Sequence, residues 1–581
     1  MKSGIGAGPL PNPPPCTRGR EARAARGWGL AMSAGIGVVI LTAEPVMVVA
    51  EEAVCIENTT IAELQQALAE GRTTASALAR GYLERIEAYD RAGPQLNSVR
   101  EINPEALEIA AKLDGVKPSH DKPLAGIPIL IKDNIATADK EHTTAGSLAL
   151  ETARAKRDAT VTARLRAAGA VILGKANLTE FANIMAVDMP SGYSSLGSQV
   201  KNPYAPVLDD KKIPIVSPGG SSSGSAAAVA AGLVVAAIGT ETQGSLLSPA
   251  TQNGLVTVKP TVGLISRAGI VPIAHSQDTA GPLTRTVRDA AILLNVLAAP
   301  DPADPATAGL KRPPDYTAAL DADGLKGARI GVPSDPSDPA NDIFYGKLGP
   351  RAQAVMAQVI TTLEAQDATI VRANIATEGW IGGPGTMMAI LNRNPESKTR
   401  NEPAIRPIVF VYELKHDLNL YLRDWATETP VKTLADIVAF NEAHADRALR
   451  FGQDILLAAE ATRGDLSELE YRSARAMDLR ASKELGLDAY MERHRLDAVL
   501  FPGTNGAGIS ARAGYPSVQV PAGFVSGFEG KPTPDYPLGA TFTGRAWSEP
   551  TLLRLAYAYE QASKARRMPS GLPALDGGCP R

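Results

Sequence analysis

Three short segments hold residues able to do acyl-transfer chemistry. The first is the apolar run Ala125-Gly-Ile-Pro-Ile-Leu-Ile131, which reads as a buried strand and ends at Lys132-Asp133-Asn134. A lysine carried out of water at such a strand end loses hydration. That disfavours its charged form and turns it toward a general base. The bland reading is a lysine that snorkels outward or pairs with Asp133. The second segment is Ser217-Pro-Gly-Gly-Ser-Ser-Ser-Gly-Ser225. Such a tract before a helix is a simple turn or an anion cradle. It also fits the nucleophile-elbow pattern, as Gly220-Ser221-Ser222-Ser223-Gly224, which would make Ser222 an α/β-hydrolase nucleophile. The third is Gly239-Thr-Glu-Thr-Gln-Gly-Ser245, directly after the apolar run Leu233 to Ile238. Loops at the C-terminal ends of strands are where α/β proteins place their sites. Backbone N–H groups in this loop can converge on one oxygen and form an oxyanion hole.

The elements that must position these segments follow from patterning. Thr60-Ile-Ala-Glu63 is a capping box that opens a helix reaching Ala69, and Gly71 stops it. Leu78, Tyr82, Leu83 and Ile86 mark a second helix. Residues 161–168 read as helix, 170–173 as strand, Thr179 as a helix start, 226–231 as a small-residue helix and 233–238 as a buried strand. Residues 295–325 form a Pro- and Asp-rich excursion. Helical patterns then dominate 350–500, and strands return at 499–501 and 517–520. This alternation predicts an α/β fold, one large domain with a helical insertion over about 340–490. A second domain is the alternative.

With 581 residues, 44% hydrophobic and 21% charged, the chain has ordinary globular composition, and its net charge of −3 gives no basic face for nucleic acid. Residues 1–52 differ. Arg18, Arg20, Arg23 and Arg26 precede an apolar stretch, and a small residue stands at Ala50, which is the outline of a secretory signal peptide. Glu44 and Pro45 interrupt it, so no stable membrane span is expected. A disordered leader is the alternative, with a cytoplasmic location; the signal reading gives a periplasmic or secreted one. Of three cysteines, Cys16 lies in this leader. Cys55 and Cys579 would remain in a processed chain, where they either pair or stand as separate thiols. Six histidines include no HExxH or HxH spacing, so no histidine metal site, and no cofactor of any kind, is expected.

Taken together, the segments resemble the amidase signature family. The lysine segment Ile129 to Asn134, the strand-and-helix motif Gly169 to Ala182, the Gly/Ser stretch Pro218 to Ala230 and the loop Gly239 to Ala250 carry the likeness. Asn253 to Leu264, Asp278 to Asp289 and Gly514 to Gly523 continue it, in order, across roughly residues 60–560. The resemblance also disposes of a P-loop imitation at Gly169 to Ala176. It implies a large mixed β-sheet core covered by helices on both faces, within residues 53–565, with 566–581 as a tail. It implies a Ser-Ser-Lys triad: Ser245 as nucleophile, Ser221 as the bridging serine after a cis peptide, and Lys132 as base. The oxyanion hole would use the amides of Thr242, Gln243, Gly244 and Ser245. The activity implied is hydrolysis of a carboxamide through an acyl-enzyme, with no metal.

The sequence departs from the commoner family pattern in the loop. Glu241 stands for an Asp, Gln243 for a Gly and Leu247 for an Arg. Members similar to bacterial peptide amidases share Glu and a polar residue there, which points to a small-molecule amide, a peptide amide or an N-acyl amide as substrate. The rival within the family is the glutamine-hydrolysing amidotransferase component that works on charged tRNA, against which Leu247 and the leader both speak. Residues 207–216 read as an extra, solvated segment. Oligomeric state is not encoded in any of these patterns.

Overall fold

The computed structural model describes residues 54–311, 313–375, 408–527 and 533–575. The expected leader (1–52), Cys16, Cys579, the end of the tail and part of the expected insertion lie outside the described residues.

An eleven-stranded mixed sheet organises the chain. Its strands run in the order Val99–Ile102, Val171–Ala176, Pro128–Lys132, Ala236–Glu241, Thr279–Thr284, Val256–Lys259, Ser517–Val525, Tyr536–Thr543, Ala498–Pro502, Arg329–Val332 and Thr369–Arg372. The strand Pro128–Lys132 pairs in parallel with both Val171–Ala176 and Ala236–Glu241. Ala236–Glu241 then meets Thr279–Thr284 antiparallel. Helices pack against this sheet, and one apolar core runs from Ile61 to Leu572. The central strands are buried at every position, which explains their lack of polar alternation.

Local signals work as expected at several places. Thr60 caps the helix Ile61–Glu70 in a full capping box with Glu63, and Gly71 closes it in a left-handed conformation, φ 75°. The stretch Leu469 to Leu485 is helical, passing from α-helix to a π-helical segment at Arg480. Thr179 does not open a regular helix. Glu180–Asn183 is a short 3₁₀ turn in which Phe181, Ala182 and Asn183 have positive φ. Tertiary bonds have taken over. Phe181 N donates to Ala145 O, and the Glu180 carboxylate accepts the Ser195 N–H and hydroxyl.

A second apolar cluster is built largely from the helices Ile408–Asp424, Leu434–Ala443 and Asp454–Glu460, packed with Phe181, Met185 and Ile273. The segment 207–216 is solvated as expected. Asp209, Asp210, Lys211 and Lys212 are exposed, and Arg450 donates to the Lys211 carbonyl.

Candidate active site

Parallel pairing sets Ile131 opposite Ile238, so Lys132 and Thr240, which follow on the two strands, emerge close together at the strand ends. Lys132 is fully buried. Its Nζ lies 2.7 Å from Ser221 Oγ and 2.8 Å from Thr240 Oγ1. Asn134 Nδ2 donates to the same Thr240 hydroxyl at 3.0 Å. Asp133 does not pair with Lys132. It faces Arg100 (Nε to Oδ2, 2.7 Å) and accepts the Thr144 hydroxyl. Among the described residues no carboxylate pairs with buried Lys132, and burial pushes its pKa down to about 7, against the opposing pull of Asp278 and Glu241.

Ser221 follows a cis peptide after Gly220. The tract is fixed from both sides: Thr179 N donates to Ser221 O at 3.0 Å, and Ser222 N donates to Ser245 O at 3.2 Å. Ser222 Oγ is spent on the backbone of the neighbouring strand. It donates to Thr240 O (3.0 Å) and accepts from Thr240 N (3.2 Å). Gly224 admits no side chain, because a Cβ would stand 2.2 Å from Ser98 O and 2.4 Å from Asn177 O. Close backbone approach therefore selects the glycine here.

The loop that ends at Ser245 is held by two carboxylates. Glu241 Oε1 accepts the Gly244 amide at 2.7 Å, and Oε2 accepts those of Leu246 and Leu247 at 2.8 and 3.0 Å. Asp278 accepts the Thr242 hydroxyl and the amides of Ile273 and Ala274, both at 2.9 Å. Burial raises the Asp278 pKa to about 6. Gly244 takes the left-handed turn, φ 84°, which leaves Gln243 free to carry a side chain. Ser245 itself is 6% exposed.

The structure brings Lys132 and Ser221 into contact, and a backbone hydrogen bond ties the Ser221–Ser222 turn to Ser245. It commits the Gly244 N–H to Glu241. Sequence reasoning does not single out Thr240 and Asp278 as partners; both sit inside the family motifs, at a strand end and at a motif start, where a buried polar residue is the available signal. An open cleft of about 250 Å³ is lined by Asn134, Thr240, Thr242, Asp278, Tyr421 and Trp425 among others. It borders the partners of Lys132 rather than Ser245.

The sequence model of the family described as Amidase matches residues 77–553. The chain belongs to the amidase family. This amidase is 38% identical over 526 residues to a probable amidase of Arabidopsis thaliana, covering 88% of this chain and 92% of that one. The solved native peptide amidase from Stenotrophomonas maltophilia is 41% identical, with TM-score 0.75, over 88% of this chain and 98% of that one. A glutamyl-tRNA(Gln) amidotransferase component of an Exiguobacterium species is 32% identical over 526 residues, 88% and 98% of the two chains. The amidase fold and hydrolysis of amide C–N bonds follow for this chain. Among the described residues, no helix is long and apolar enough to cross a membrane.

Proposed function

We propose that this amidase cleaves carboxamides with Lys132, Ser221 and Ser245 as a proton relay and nucleophile, and that its substrates are peptide amides or related N-acyl amides. The observation that carries the relay is the 2.7 Å approach of buried, carboxylate-free Lys132 to Ser221. With its pKa near 7, a large share of Lys132 is neutral at neutral pH and accepts the Ser221 proton. Ser221 in turn accepts the proton of Ser245, whose Oγ attacks the amide carbon. The C–O bond forms as the carbonyl π pair moves onto oxygen. The oxyanion is held by the amides of Thr242, Gln243 and Ser245, while Gly244 contributes its turn, its N–H being held by Glu241. Collapse expels the amine, which takes the relayed proton, and water hydrolyses the acyl-enzyme by the same route.

The substrate reading is supported by the 41% identity to a peptide amidase, set against 32% for the amidotransferase component. It also draws on Glu241 and Gln243 in the loop. The test is hydrolysis of a panel of peptide amides, anilides, fatty amides, a carbamate and glutamine by wild type, Ser245→Ala and Lys132→Ala. Turnover of peptide amides that collapses in both variants is the expected result. Activity surviving in Ser245→Ala would remove the relay, and glutamine as the preferred substrate would favour the amidotransferase reading.

We also propose that the chain is exported and cleaved near Ala50. The basic and apolar pattern of residues 18–50 supports this, as does the disulfide at Cys55, a bond that persists in oxidising compartments.

A further inference from the structure

The helix Ile408–Asp424 carries Glu413, His416 and Asp417, spaced so that residues three and four apart share one face. Against that face lies His275, in the segment between Ile273 and Asp278. Both imidazoles turn their Nδ1 edge to one carboxylate. His275 Nδ1 is 3.0 and 2.9 Å from the two Asp417 oxygens, and His416 Nδ1 is 2.9 Å from Oδ1. Ligand atoms of His275, His416 and Asp417 all fall within 4.8 Å of one another. Glu413 Oε2 is 3.6 Å from His275 Nδ1. Glu413 is already tied down by the Ser276 amide at 3.0 Å and the Tyr471 hydroxyl at 2.7 Å.

We propose that His275, His416 and Asp417 form a binding site for one zinc-class divalent cation, with Glu413 as the carboxylate behind it. Imidazole nitrogen with carboxylate oxygen is the donor set that suits zinc or cobalt rather than calcium or magnesium. The carboxylates form a buried floor: the Glu413 side chain is 0% exposed and that of Asp417 9%. The rings are accessible, at 46% and 34%, so an ion can reach them from solvent. Bonds of about 2.0–2.2 Å put neighbouring ligands roughly 3.3 Å apart in a tetrahedron. The ring-to-carboxylate distances of 2.9–3.0 Å lie near that value, and rotation of the rings brings the whole set, now within 4.8 Å, to it. In the bound form each ring keeps its proton on Nε2 and gives the Nδ1 lone pair to the ion. No local sequence motif marks such a site, because His275 and Asp417 are 142 residues apart.

The position gives the site a role. The ion pins the helix Ile408–Asp424 to the segment that runs into Asp278, which accepts the Thr242 hydroxyl from the loop preceding Ser245. It is a clamp on the support of that loop and takes no part in the reaction.

The test is a cobalt(II) titration of the tag-free, chelator-treated chain, read by visible absorption and by thermal melting. The expected result is one equivalent bound, a visible band bleached by one equivalent of zinc(II), and a Tm that rises with metal. Replacing one ligand should weaken binding at least tenfold, as loss of even supporting partners commonly does. His416→Gln, at a partly exposed position, should show this, while His494→Gln should bind as wild type. Absence of a cobalt band in wild type would overturn the site outright. So would equal binding by wild type and His416→Gln, or loss of binding in His494→Gln.

Discussion

Glu241 reaches forward to Gly244, accepting its amide at 2.7 Å, and with its other oxygen gathers the amides of Leu246 and Leu247. One carboxylate thus fixes the turn on either side of Ser245. Glu241→Gln keeps the length but presents an amide N–H₂ to donors, so one side of the clamp is lost. Hydrogen bonds to a charged group contribute about 1.5–3 kcal/mol. The expected loss in kcat is therefore roughly 10- to 100-fold, with a smaller change in KM. Steady-state kinetics on the best substrate of the panel measures this, and an unchanged kcat would free Glu241 from any part in shaping the loop.

Lys132, Ser221 and Ser245 should act as one unit. Single replacements by Ala are each expected to lower kcat by about 10⁴-fold or more, and the double variant Lys132→Ala/Ser221→Ala should be little worse than either alone. Labelling by a fluorophosphonate should vanish in Ser245→Ala and slow sharply in the other two. Additive losses would break the relay into independent contributions.

The pH profile follows from the buried lysine. Its pKa falls from the usual 10.5 to about 7, and only the neutral amine accepts a proton. Activity should therefore climb about tenfold per pH unit below about 7 and level off above it. Asp278, raised to about 6, is protonated on the acid side and steepens the limb there. Lys132→Arg stays charged across this range and should be inactive. An acid limb centred near 4 in kcat/KM would exclude Lys132 as the base.

Ser222 separates two chemistries. Its hydroxyl bridges both backbone groups of Thr240. Ser222→Ala should retain the nucleophile and most of kcat. It should cost about 1–3 kcal/mol of stability, because buried backbone groups lose their partner. Chemical denaturation and kinetics on one preparation check both. A dead but fully stable variant would return Ser222 to the role of nucleophile.

Export and the disulfide can be read together by mass spectrometry. The mature N-terminus is expected just after Ala50, and a non-reduced peptide map should join Cys55 to Cys579, since Cys16 leaves with the leader. A mature chain that retains residues 1–50 would refute the cleavage.

Much of the site is legible in the sequence because its chemistry sits in contiguous segments. Lys132 is announced by the apolar run before it, the loop 239–245 by its position past a buried strand, and Thr60 by its capping box. The family likeness then implies Ser245 as the nucleophile and Ser221 rather than Ser222 as its bridge, which spacing alone does not do. What stays hidden depends on contacts remote in sequence. Thr242 meets Asp278 across 36 residues, and Lys132 meets Thr240 across 108. Local pattern carries no record of such pairs. The segment after Thr179 departs from its pattern for the opposite reason. Its helix-start signal is real, but Ala145 O and Ser195 capture the groups that a helix would have used.

The parallel register of Pro128–Lys132 on Ala236–Glu241 has a consequence for quality control. Strand side chains alternate between faces, so a slip of one residue would turn Lys132 away from Ser221 altogether. With Lys132 and Ser221 in the proposed relay, a misassembled sheet would then be chemically silent rather than loosely reactive. On that proposal, turnover itself certifies that the centre of the sheet has assembled in the right register.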